Sequence, residues 1–84
     1  MSDLELDLLQ ILFGVQGREW TGRDNPDLAH LLTAPIDDLD LDSLERMEFV
    51  LRIEEHFSVE LPEREVIASK SIQYLAGLIK KYAK

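Results

Sequence analysis

The chain contains no cysteine. That removes a disulfide framework, a thiolate zinc site and a cysteine nucleophile from consideration, and it fits a reducing compartment. No apolar stretch approaches the roughly 20 residues that a membrane-crossing helix needs. The N-terminal "MSDLELDLL" interleaves acids with leucines and has no positive segment leading into an apolar run. A secretory signal is therefore not expected, and a soluble cytoplasmic protein is. Bases are scarce: nine Lys and Arg stand against 17 Asp and Glu, for a formal net charge of -8. A nucleic-acid partner does not fit that sign, because phosphate binding needs a basic face. Basic protein partners do fit it, since complementary potentials raise encounter rates. Repeats, low-complexity tracts and interdomain linkers are also missing.

What is present suffices for one folded domain over residues 1–84. The length supports a small core without staples, and 45% of residues are hydrophobic, too many for a disordered chain. The first predicted helix is "SDLELDLLQILFGV". Ser2 with Glu5 forms a capping-box pattern, and Leu4, Leu8, Ile11, Leu12 and Val15 keep the spacing of a buried stripe. Leu6, Leu9 and Phe13 widen that face, so cover on more than one side is expected. Gly14 and Gly17 are expected to close the helix.

Residues 17–41 read as a long connection with turns at Gly22 and "DNP". Pro26 after an Asn25 cap suggests an extra helical turn in "PDLAHLL". Trp20, Leu28, Leu31, Leu32, Ile36 and Leu39 are the residues available to pack this segment. A second helix is expected from Asp42 or Ser43 to Phe57, with Asp42 and Glu45 as a cap-plus-acid pair. Its apolar positions are Leu44, Met47, Val50, Leu51, Ile53 and Phe57. Pro62 opens a short third helix, "PEREVIA". Ser71 caps a fourth with Ile72, Leu75, Ala76 and Ile79 inward, and Lys80, Lys81 and Lys84 complement the dipole at its end. No segment shows the period-2 alternation of a strand. The expected class is all-α, a four-helix bundle with a long loop between helices one and two.

Four aspartates crowd residues 37 to 42, directly ahead of Ser43. Asp38, Asp40 and Asp42 fall at the first, third and fifth positions of a calcium loop, but the glycine needed for its sharp turn is Ser43 and the closing bidentate glutamate is Phe49. A metal site is therefore not expected. Catalysis is not expected either, because His30 and His56 lie in different segments and neither is set beside a serine with an orienting acid. His56 reads as a surface residue near a helix C-terminus and His30 as a partly buried loop residue. For Ser43 two readings stand. It is a first-turn residue of a capped helix, or it is a hydroxyl presented at the positive end of a helix where a phosphodiester sits well.

The stretch "DLDLDSLERMEFVLRIEEHFSVELPE" resembles the signature of the acyl carrier proteins, four-helix bundles in which the serine of a D-S-L motif receives 4′-phosphopantetheine. Asp38 and Leu39 precede the motif as in the family's "DLGxDSL". Glu48 falls where the family commonly has an acid, and Glu54, Glu55 and Phe57 close the helix before "ELPE". Downstream, "VIASKSIQYLAGLI" resembles the approach to the family's fourth helix. The resemblance covers residues 36 to 80 well and helix one by general pattern.

The resemblance implies that Ser43 is the attachment point and that the arm's thiol holds an acyl group as a thioester. A phosphopantetheinyl transferase would load the arm. Acyl-transferring or condensing enzymes would meet Asp38, Asp40, Asp42, Glu45 and Glu48 with basic docking patches, and Leu44 and Met47 would add apolar contacts. Val50, Ile53, Leu75 and Ile79 are candidates for a pocket that shelters the cargo. A monomer that catalyses nothing itself is implied, serving fatty-acid, polyketide or specialised lipid synthesis. Alternatives are an aminoacyl or peptidyl carrier, and an unloaded structural or regulatory subunit. Three departures point to a specialised carrier: Asp40 replaces the usual glycine, Arg46 and Arg52 sit on a generally acidic helix, and the loop with Trp20 is longer than usual.

Overall fold

Ser2 starts the first helix as its cap. Its hydroxyl accepts from the Glu5 N–H at 3.2 Å, and the Glu5 carboxylate accepts from the Ser2 N–H at 2.8 Å. The hydrogen bond from the Ser2 backbone holds the Glu5 carboxyl below its ordinary range. The computed structural model describes residues 2–83, and the side chains of all of these except 37, 63 and 67. Lys84, expected in the last helical turn, lies outside the described residues.

Helix α1 spans Asp3–Val15. It ends in a Schellman arrangement: Gly17 takes φ 68°, Arg18 N–H donates to the Phe13 carbonyl at 2.9 Å, and Gly17 N–H donates to that of Gly14 at 3.2 Å. Gly17 closes the helix, as expected, whereas Gly14 lies inside its last turn. The buried face also differs from the expected stripe. Leu8, Leu9, Leu12 and Phe13 are buried, while Leu4, Ile11 and Val15 are only half-buried at its margin. The reason is that α1 packs on two helices at once, α3 (Ser43–Phe57) and α5 (Ile72–Tyr82). Their placement, rather than the apolar period, selects the inward centre.

The connection after α1 is folded throughout its middle. Trp20 packs edge-on to Phe13, with ring centroids 5.2 Å apart, and the Arg18 guanidinium lies 4.3 Å from the Phe13 ring centre. A short 3-10 turn at Gly22–Asp24 leads to α2, Leu28–Thr33. This helix starts later than the Pro26 reading placed it, because the Asn25 side chain accepts from the Asp27 N–H at 2.9 Å and makes a turn there instead of a cap. Leu28, Leu32, Ile36 and Leu39 are buried, with Trp20 and Leu31 packed at the edge. His30 is exposed on α2, not partly buried, because Leu28 and Leu32 take the inward face.

A second 3-10 turn, Ile36–Asp38, leads to α3. The short α4, Glu63–Ile67, follows Pro62, and α5 is capped by the Ser71 hydroxyl, which accepts from the Tyr74 N–H at 3.2 Å. Ile72, Leu75, Ala76, Leu78 and Ile79 bury the inner side of α5. Among the described residues there is no strand. The architecture is an all-helical bundle, in which α1, α3, α4 and α5 correspond to the four expected helices and α2 is the extra turn within the long loop.

Candidate functional site

The approach to Ser43 is shaped by three backbone anchors. Gln16, at the end of α1, donates from its side-chain amide to the Leu39 carbonyl at 2.6 Å, and Leu39 itself is buried. Asp40 then takes φ 57°, the left-handed region that suits glycine and that Asp tolerates better than most side chains. The residue that departs from the glycine of the carrier signature thus keeps the backbone shape glycine would give. Asp42 follows in extended backbone as the cap of α3. Its carboxylate accepts from the Glu45 N–H at 2.8 Å, and the Glu45 carboxylate accepts from the Asp42 N–H at 3.2 Å. This reciprocal box makes Ser43 the first residue of a 15-residue helix, and its side chain is exposed.

Asp38, Asp40, Asp42, Leu44, Met47 and Glu48 are likewise exposed, and Glu45 is half-buried. The structure therefore gathers the expected partner-facing residues around the head of α3. Two of the carboxylates, on Asp42 and Glu45, also hold the helix start. Glu48 is paired one turn along with Arg52 at 2.7 Å.

The apolar positions expected on α3 need correcting. Phe49 and Ile53 are the buried ones, at 1% and 0% exposure, whereas Leu44, Met47 and Leu51 are 76%, 62% and 52% exposed. Val50 and Phe57 are half-buried. Phe49 and Ile53 are four residues apart and share the face turned to α1, which leaves Leu44, Met47 and Leu51 along another side. Leu51 was missed as a surface residue; its place four residues after Met47 and seven after Leu44, on the same side of the helix, was the available signal.

Beside Ser43 opens a cleft of about 860 Å³. Val50 and Leu75 line it as expected, but Ile53 and Ile79 do not, because both are sealed inside the bundle core. Phe49, Leu61 and Val66 supply further apolar lining, and Arg46, Glu54 and Ser69 supply polar groups. Glu54 accepts from the Leu61 N–H at 3.1 Å, fixing the segment that leads to α4. Ser69 donates to the Glu65 carbonyl at 2.9 Å. The far side of α4 is tied to α5, where the Tyr82 hydroxyl donates to the Glu65 carboxylate and Lys81 approaches it at 3.6 Å. The hydrogen bond to Glu65 pushes the Tyr82 phenol up from its ordinary pKa.

The two histidines remain apart from one another. His30 is exposed on α2, and His56, also exposed, stands 3.8 Å from Asp7 of α1 with its ring edge-on to Phe57. Among the described residues no three or more His, Cys, Asp or Glu side chains are grouped to hold a metal ion, and no helix is long and apolar enough to cross a membrane.

The family model of the phosphopantetheine attachment site matches residues 18–79. An acyl carrier protein of Bdellovibrio bacteriovorus is 35% identical over 60 residues, spanning 71% of this chain and 77% of that protein. One of Campylobacter concisus is 38% identical over 60 residues, spanning 71% and 78%. A third, from Buchnera aphidicola, is 36% identical over 47 residues, spanning 56% and 60%.

Proposed function

The chain belongs to the acyl carrier protein family, and from that premise we propose that Ser43 is the point at which its 4′-phosphopantetheine arm is attached. The observation that carries this reading is the position of Ser43: an exposed hydroxyl, first in a long capped helix, on the rim of the cleft. The residues present fit such an arm. The hydroxyl is accessible to a loading enzyme, the helix start favours the negative phosphodiester, and the cleft next to it has room for an aliphatic chain.

Loading forms a bond between the Ser43 oxygen and the phosphorus that bears the pantetheine of coenzyme A. The phosphoanhydride bond breaks, adenosine 3′,5′-bisphosphate leaves, and the hydroxyl proton passes to a base on the transferase. Once attached, the arm supplies a thiol that holds an acyl group as a thioester. The chain's own residues present and shelter that group, and the chemistry on it belongs to partner enzymes. The protein works as a single-domain monomer in the cytoplasm and catalyses no step itself.

Those partners meet the exposed acids Asp38, Asp40, Asp42 and Glu48, with Glu45 at the edge, and the apolar row of Leu44, Met47 and Leu51. Charge steering suits brief encounters with a succession of basic docking patches. The cleft walls of Phe49, Val50, Leu61, Val66 and Leu75 suit an acyl cargo. Asp40 and the positively charged Arg46 beside the serine favour a specialised carrier over the general one of fatty-acid synthesis.

The test is the intact mass of the chain after incubation with a phosphopantetheinyl transferase and coenzyme A, beside Ser43→Ala. The native chain gains one phosphopantetheinyl group and the variant gains none. A gain on the variant, or none on the native chain with transferases of differing specificity, overturns the assignment.

A further inference from the structure

The turn ahead of Ser43 has a backbone shape that residues other than glycine disfavour. Asp40 stands at φ 57°, where the side chain crowds the following carbonyl, so the turn keeps this shape only if both its ends are held. The box between Asp42 and Glu45 holds the far end. At the near end Leu39 is buried. Its N–H donates to the Ile36 carbonyl at 3.1 Å, and the Ile36 N–H donates to the Lys70 carbonyl at 3.3 Å. A further bond arrives from a distant helix end. Gln16, just past α1, donates from its side-chain amide to the Leu39 carbonyl at 2.6 Å, across 23 positions of sequence. The oxygen of the same amide accepts from Arg18 at 3.3 Å, which turns the amide nitrogen toward Leu39. Arg18 is itself laid over the Phe13 ring, 4.3 Å from its centre. The end of α1 does not need the Gln16 side chain, because backbone bonds from Gly17 and Arg18 already close it.

We infer that Gln16 is a positioning residue for loading: its bond to the Leu39 carbonyl holds the 39–42 turn in the shape that presents the Ser43 hydroxyl to the transferase. This rests on Ser43 as the attachment point. Without the bond the near end of the turn is freer, Asp40 relaxes toward negative φ, and the backbone entering Asp42 samples several paths. The transferase then engages only the fraction with the native path, and its apparent affinity falls by that fraction. The effect therefore belongs in KM, with kcat little changed.

Two variants isolate the bond. Gln16→Glu keeps the length of the side chain and an oxygen for Arg18 but has no N–H for the Leu39 carbonyl. Gln16→Met keeps the length without adding charge. NMR of the unloaded chain reads the turn first: native Asp40 gives the strong intraresidue HN–Hα cross-peak of a positive φ, and both variants weaken it. Loading with a phosphopantetheinyl transferase and coenzyme A follows. Both variants show KM raised about fivefold to tenfold, the equivalent of one hydrogen bond, at near-native kcat. Tyr82→Phe, which loses a hydrogen bond on the far side of α4, loads as the native chain does. An Asp40 cross-peak unchanged in both variants, or a native KM in both, overturns the inference. So does an equal rise in KM for Tyr82→Phe, which would make the effect one of general stability. If Gln16→Glu does not fold, Gln16→Met decides. A native chain that gains no mass refutes Ser43 loading instead, while the cross-peak of the unloaded chain still reports on Gln16, so the two failures are distinguishable.

Discussion

Asp42 and Glu45 exchange hydrogen bonds at the head of α3, each carboxylate accepting the other's backbone N–H. The same acids that are proposed to face partners therefore define where the helix begins and where Ser43 points. Two variants separate these roles. Asp42→Ala is expected to lower unfolding stability by about 1 kcal/mol, the usual cost of a lost cap. Asp42→Asn keeps an accepting oxygen at the cap and is expected to stay within about 0.5 kcal/mol of native. Its loading by a transferase should nevertheless slow, with a higher KM. Urea melts and loading kinetics on both variants check this, and an unchanged KM for Asp42→Asn refutes the partner role of that charge.

The register of α3 predicts opposite outcomes for neighbouring apolar residues. Phe49→Ala should cost about 3–5 kcal/mol, as for a large buried side chain. Met47→Ala, at a side chain 62% exposed, should change stability by no more than about 0.5 kcal/mol and should weaken engagement with partner enzymes. Denaturant melts of the two variants decide it. Equal losses would contradict the register.

Gly77 lies inside α5 with its backbone exposed, and an added Cβ there meets nothing within 4 Å. Glycine in a helix interior costs about 1 kcal/mol relative to alanine. Gly77→Ala is expected to raise the unfolding free energy by about that amount with no change in loading. A thermal melt reads the gain directly.

Tyr82 and Glu65 join α5 to α4, and the phenol's pKa is raised chiefly by its hydrogen bond to Glu65. A raised pKa means the folded state favours the neutral phenol. That contribution is full below about 10, the value in the unfolded chain, and is lost as pH rises through the higher folded value. Tyr82→Phe should lower stability at neutral pH and flatten the alkaline fall. Melting temperatures of both proteins followed from neutral into alkaline pH should converge at the top of the range. Parallel curves would contradict the pairing.

The starts of the helices were legible because their signals are local. Ser2 with Glu5, Asp42 with Glu45, and Ser71 ahead of Ile72 each satisfy nearby N–H groups with their own side chains, so the pattern is complete within four residues. The inward face of α3 was not legible in the same way. Apolar residues occupy more than one side of that helix, and only the packing of α1 against Phe49 and Ile53 chooses between sides. Asn25 misled for a related reason. Its side chain can cap a helix or close a turn on the Asp27 N–H, and the structure takes the turn. At the site, Ser43 and the surrounding acids were evident from the motif. The cleft was legible only in part: Val50 and Leu75 line it as expected, whereas Ile53 and Ile79 are sealed in the core and Phe49, Leu61 and Val66 were not anticipated, because the packing of the helices decides which apolar residues face the opening.

The most direct measurement is fragmentation mass spectrometry of the loaded chain, which locates the added group among Ser2, Ser43, Ser58, Ser69 and Ser71. Phosphopantetheine found on Ser43 alone is the result this account predicts. Phosphopantetheine on any other serine, or a chain that a competent transferase leaves unmodified, would contradict it.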